Sequence, residues 1–243
     1  MIKTEIIKYS NETTNFIGKI CFNEDFQKPR PGILVVHTIR GCTDFEIDKA
    51  TELAKLGYVG FAVDMYGNGR RSENSEEARP WMNELNENRN LLRERILLAL
   101  ETLKKHPKVD KAKTGAIGFC FGGKCVLDLA RANGKVCGVV SFHGVYDKPP
   151  FEENSPIIPS VLVLHGWNDL LNTPTQTVKI AEELTERKAD WQILSFGHTG
   201  HAFTNPKADS PEQGLFFNKT ADKRAWIAMK YFFEEIFQQK SAT

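Results

Sequence analysis

A chain of 243 residues, 41% of them hydrophobic, is long enough to bury a full core and reads most simply as one domain over residues 1–243. With 32 basic against 31 acidic residues its formal charge is +1, and no run of like charge is long enough for a nucleic-acid stripe or a polybasic membrane patch, which leaves a small-molecule partner. The five cysteines, Cys21, Cys42, Cys120, Cys125 and Cys137, are odd in number and lack paired-knuckle spacing, against both a disulfide framework and a structural zinc site.

The N-terminal MIKTEIIKYSNETT holds no long apolar run, and no stretch of the chain approaches the roughly 18 consecutive apolar residues of a membrane span. A cytoplasmic protein that neither enters a membrane nor binds nucleic acid is the expectation. Strand-like apolar runs follow at 15–22, 32–37, 58–63, 115–119, 138–143, 160–166 and 191–196. Amphipathic segments with helical spacing lie at 45–57, 76–85, 90–106, 123–134, 175–189 and 221–237. Alternation of the two kinds predicts an α/β fold, a mostly parallel central sheet with helices on both faces. The polar stretch YGNGRRSENSEE, 66–77, predicts a long loop or lid.

Within GAIGFCFGGKC, 115–125, an apolar strand breaks into glycines and resumes as a helix. Gly118, Gly123 and Lys124 satisfy G-x-x-x-x-G-K, but Cys125 stands where a phosphate loop needs a metal-binding Ser or Thr. Gly118, Cys120 and Gly122 fill G-x-C-x-G, the thiol form of a nucleophile elbow. Small residues two positions either side let the turn pass between strand and helix, and a helix starting just past Cys120 favours its thiolate. A structural cysteine in a glycine-rich turn explains that pattern equally well. Order along the chain tips the balance: Asp169 follows the run 160–166, and His198 and His201 follow 191–196, giving nucleophile, acid and histidine in the α/β-hydrolase sequence. His201 is the better base, because His198 lies closer to its strand. Two backbone donors are required for an oxyanion; Phe121 N–H is one, and Ile39, with Thr38 beside it, supplies the other after GILVVH.

From PGILVVH through DMYGNG, GFCFGGK and HGWND to GHAFTNP, the chain resembles the dienelactone hydrolase family of α/β-hydrolases. The resemblance implies ester or lactone hydrolysis by a Cys-His-Asp triad of Cys120, Asp169 and His201, with Ile39 and Phe121 as oxyanion donors and no metal or organic cofactor. It also exposes two departures. Dienelactone-cleaving members carry a glutamate where this chain has Thr38, and an arginine for the substrate carboxylate where it has Asn205. Arg79 is the candidate for their other arginine. Trp81, Phe121, Trp167 and Phe203 suit an apolar acyl or aryl group. The expected activity is a broad esterase for neutral, activated esters, whose thiolate forms before substrate arrives. A true dienelactone hydrolase, a thioester or peptide hydrolase on the same residues, and a non-catalytic binding or redox-sensing protein are the alternatives.

Overall fold

A computed structural model describes residues 1–150 and 155–239. Its strands are β1 (Ile2–Ser10), β2 (Asn15–Asn23), β3 (Arg30–Val36), β4 (Val59–Ala62), β5 (Val109–Phe119), β6 (Gly138–Phe142), β7 (Ser160–Gly166) and β8 (Trp191–Phe196). They form one sheet in the order β1-β2-β4-β3-β5-β6-β7-β8. The β1–β2 and β2–β4 pairs are antiparallel, and every pair from β4 to β8 is parallel. The helices are α1 (Asp44–Lys55), α2 (Ser75–Glu87), α3 (Arg89–Lys105), α4 (Phe121–Arg131), α5 (Pro174–Glu186) and α6 (Lys219–Gln239). None of the described helices is long and apolar enough to cross a membrane.

The period of two in a strand explains how both faces are covered. Leu34, Val36, Ala116, Val139 and Val161 turn to one side, where they pack with Leu92, Ile96 and Ala99 of α3, Val126 and Leu129 of α4 and Ile180 of α5. Their neighbours Ile33, Val35, Ile117, Val140 and Leu162 turn to the other, against Ala50 and Leu53 of α1 and Met229 and Phe233 of α6. Strands buried on both faces read as continuous apolar runs, so the parallel strands were legible in the sequence.

The run at 15–22 is β2, but the edge strand β1 was not legible. In β1 every residue is exposed or half-buried, Ile6 reaches 64% exposure, and polar residues punctuate the strand, so IKTEIIKYS carries no apolar run. It is held by its register with β2, a long-range pairing that local pattern does not report. β5 also starts earlier than expected, because Val109 and Asp110 pair with Arg30 and Pro31 before a register shift at Pro31/Gly32. The polar segment 66–77 is a loop up to Ser75, where α2 begins, but its first part is anchored: Asp64 accepts the N–H groups of Tyr66, Gly67 and Gly69 at 2.8–3.0 Å.

A buried ionic cluster pins α4, whose first turn follows the candidate nucleophile. Arg89 makes two bonds of 2.7 Å to the Asp128 carboxylate, Arg131 bonds Asp128 at 3.0 Å, and Arg131 also grips Glu183 at 3.0 and 2.8 Å. Asp128→Ala leaves two buried guanidinium groups short of an anion, so we expect a loss of about 3–5 kcal/mol of stability. A lowered urea midpoint at unchanged slope measures it.

Candidate active site

Cys120 sits between the end of β5 and the start of α4 with φ 55° and ψ −114°, a left-handed conformation that a side chain rarely adopts. Cys120 N–H donates to Phe142 O at 3.1 Å, and Cys120 O accepts from Gly123 and Lys124 N–H at 3.0 and 3.3 Å, so the surroundings enforce the strained turn. The glycine spacing is a packing requirement. A Cβ on Gly118 would lie 2.0 Å from Gly122 O, and one on Gly122 would lie 2.2 Å from Val36 O. Cys120 is half-buried beside the N-terminus of α4, and the Phe121 N–H there acts to lower its thiol pKa.

Asp169 and His201 come from the loops after β7 and β8. Asp169 Oδ1 accepts the N–H groups of Leu171 and Asn172 at 2.7 and 3.0 Å, which leaves Oδ2 for His201 Nδ1 at 2.8 Å. The backbone of His201 is fixed from both sides, its N–H donating to Gly214 O at 2.7 Å and its carbonyl accepting from Phe216 N–H at 3.2 Å. These partners lie around a short ladder, β9 (Asp209–Ser210) and β10 (Leu215–Phe216), too brief to show as periodicity. His201 Nε2 is buried and makes no hydrogen bond among the described residues, and His201 and Cys120 shift one another's ionisation. His198 is exposed and takes no part in this arrangement.

Burial is the largest influence on both members of the pair, pushing the thiol up and the imidazole down. Their mutual attraction, the Phe121 N–H on the sulfur and Asp169 on the imidazole outweigh it. The Cys120 pKa is held below the ordinary thiol value, and that of His201 is pushed up to about 10, so each group favours the charged form of the other. By contrast, burial drives the thiols of Cys42 and Cys125 upward. His143 packs edge-on to His201 with ring centroids 5.0 Å apart and bonds Thr204 Oγ1 through Nε2 at 2.9 Å. Burial and then the His201 charge hold it well below the ordinary histidine value, so it packs there uncharged.

β3 lies beside β5, and Thr38 and Ile39 leave its C-terminal end next to the elbow. The Ile39 N–H makes no hydrogen bond among the described residues, whereas the Thr38 N–H donates to Glu46 Oε1 at 3.2 Å. Tyr66 donates its hydroxyl to Ile39 O at 2.9 Å and stacks on Phe121 at 5.8 Å. Trp81, 5.9 Å from Tyr66, closes an aromatic group against the same core surface as Cys120. Tyr66, Glu46 and His143 are absent from the sequence-based site. Tyr66 lies within DMYGNG, but its hydroxyl bond spans 27 positions and has no local signature.

Four other expected residues have partners of their own. Arg79 lies on the exposed side of α2 and spends its guanidinium on Glu76 at 2.6 Å, an i,i+3 pair of helix neighbours. Phe203 is fully buried, packed edge-on at 5.1 and 5.6 Å against His143 and Phe196, so it supports the histidine loop from within the core. Asn205 uses Oδ1 to accept Lys207 N–H at 3.0 Å and so closes its own turn. Trp167 is 48% exposed in the aspartate loop, with its ring 6.2 Å from that of His165.

Structural and sequence comparisons agree with this architecture. The chain is 34% identical to m3DLH, with a TM-score of 0.92 covering 97% of this chain and 99% of the other. It matches equally well, at 34% identity and TM-score 0.92 over 97% and 98% of the two chains, a dienelactone hydrolase-like promiscuous phosphotriesterase from metagenomic libraries. An uncharacterized protein of Caenorhabditis elegans is 36% identical over 154 residues, 60% of this chain and 94% of the other. The family model for dienelactone hydrolases matches residues 19–237, and the chain belongs to the dienelactone hydrolase family, a hydrolase on the α/β-hydrolase fold.

Proposed function

We propose that this hydrolase cleaves carboxylic esters or lactones through Cys120, and that it is a broad esterase favouring neutral, activated esters. The observation that carries the proposal is the Cys120–His201–Asp169 line at a strained strand-to-helix turn. The thiolate attacks the ester carbonyl and forms a C–S bond, while the carbonyl electron pair collects on an oxygen received by Phe121 and Ile39 N–H. Collapse breaks the C–O bond; His201 gives its proton to the departing alcohol, and a thioester remains. Water then loses a proton to His201 as it attacks the thioester, and acid and thiolate are released.

Preference for uncharged esters follows from what surrounds the site. Asn205 and Arg79 are both engaged within their own turns, and Thr38 offers no carboxylate to the sulfur. A missing arginine forgoes charge-assisted bonds worth roughly 1.5–3 kcal/mol, or about 10- to 100-fold. Matched aryl esters with and without a carboxylate on the acyl group test this: the neutral one should have a kcat/KM at least equal to the anionic one. A strong preference for the anionic ester would restore the dienelactone reading. The likeness to a phosphotriesterase favours adding a neutral aryl phosphotriester to the same panel, because the donors that receive a carbonyl oxyanion also suit a phosphoryl oxygen.

A further inference from the structure

His37 follows β3 directly and is fully buried, yet the chemistry above does not use its ring. Its Nε2 lies 3.2 Å from the Met65 N–H. A backbone N–H can only donate, so Nε2 carries no proton, and in a neutral ring the proton sits on Nδ1. Nδ1 is 2.6 Å from the Thr38 carbonyl oxygen and donates to it. Burial, the largest influence, holds the ring pKa below the ordinary histidine value and keeps this neutral form.

The Thr38 carbonyl and the Ile39 N–H belong to one planar trans peptide and point in opposite directions. Anchoring the first therefore aims the second. We infer that His37 is a positioning residue that sets the direction of the Ile39 N–H, an inference that rests on the reading of that group as an oxyanion donor. The flanking peptides are fixed by other groups: Glu46 takes the Thr38 N–H at 3.2 Å and Tyr66 holds the Ile39 carbonyl at 2.9 Å. Glu46 Oε2 also accepts the Thr43 N–H and hydroxyl at 2.8 and 2.7 Å, so the loop is tied to the first turn of α1. The peptide that contains the donor is held at the Thr38 carbonyl by the short bond from His37, 2.6 Å, and by a longer one from the Gly41 N–H, 3.4 Å.

A purely structural role would use the ring differently, to satisfy Met65 N–H and to pack on Tyr66 at 4.5 Å. The two roles depend on different ring atoms, and amide side chains separate them. In His37→Asn the amide nitrogen can occupy the region of Nδ1 and donate to the Thr38 carbonyl, whereas in His37→Gln the amide oxygen reaches the region of Nε2 and accepts from the Met65 N–H. The rate of Cys120 acylation by an aryl acetate, read from the phenol burst, should stay within about tenfold of wild type for His37→Asn and fall about 100-fold for His37→Gln, as when an oxyanion donor is lost. Alkylation of the same sulfur by iodoacetamide builds no oxyanion, so its rate should be unchanged in both variants. Equal acylation losses, the opposite ranking, or alkylation falling in step would overturn the inference. Should neither variant fold, the ¹⁵N–¹H spectrum of the wild-type ring decides, since an Nε2–H tautomer would remove the required donor. A wild-type protein that neither shows the burst nor turns over the aryl acetate would instead defeat the esterase reading on which this one depends.

Discussion

Cys120→Ala is expected to reduce kcat for an aryl acetate by about 10⁴- to 10⁶-fold, leaving only what binding and the oxyanion donors contribute. The reason lies in the distribution of the other thiols. Cys21, Cys125 and Cys137 are buried, and Cys42, although half-buried, has its thiol pushed up by burial and then by the Glu46 carboxylate. The Cys120 thiol is instead lowered against burial, first by His201 and then by the Phe121 N–H at the start of α4. Brief mixing of wild-type protein with the ester should release about one equivalent of phenol per chain, and digestion should place the acyl mass on the peptide containing Cys120. An undiminished burst in the alanine variant, or an acyl group on another cysteine, would move the nucleophile and with it the whole mechanism.

How much of this was legible in the sequence depended on the range of the interactions involved. Cys120, Asp169 and His201 each stand just past an apolar strand, and parallel strands bring their C-terminal ends to one edge of the sheet, so local pattern and topology agreed. Gly118 and Gly122 were legible for a related reason: their spacing is imposed by backbone atoms four and five residues away and by the neighbouring strand. What the sequence concealed was the way the site is held. Glu46 resembles an ordinary capping residue of α1, and the capping box with Thr43 is indeed present, but the same carboxylate also reaches back to Thr38. His37 has the look of the last residue of an apolar strand, and nothing in VVH reports that its ring lies between Met65 N–H and Thr38 O. Arg79 and Phe203 failed in opposite directions. A charged residue on an amphipathic helix finds its nearest opposite charge one turn away, and an aromatic residue next to a catalytic histidine can turn inward and become core.

His201→Ala should match the cysteine variant in lost turnover and should also change the chemistry of the thiol that remains. Burial alone would push Cys120 up, and His201 is the main influence that opposes it, ahead of the Phe121 N–H. Iodoacetamide alkylation measured against pH should therefore reach half its maximum below the ordinary thiol value of 9.0 in the wild type and shift upward in the variant. The same pair sets the pH dependence of turnover. On the acid side activity falls as pH drops through the lowered Cys120 pKa, because the thiolate is protonated. On the alkaline side it falls as pH rises through about 10, where His201 loses the proton it must give to the leaving alcohol. Alkylation needs no such proton, so its profile should lack the alkaline limb. His198→Ala should stay within about twofold of wild type in every one of these measurements, as expected for an exposed loop residue away from the reacting atoms. An unshifted alkylation profile in His201→Ala would mean that the sulfur is not ionised by this histidine, and a larger loss in His198→Ala would exchange the two roles.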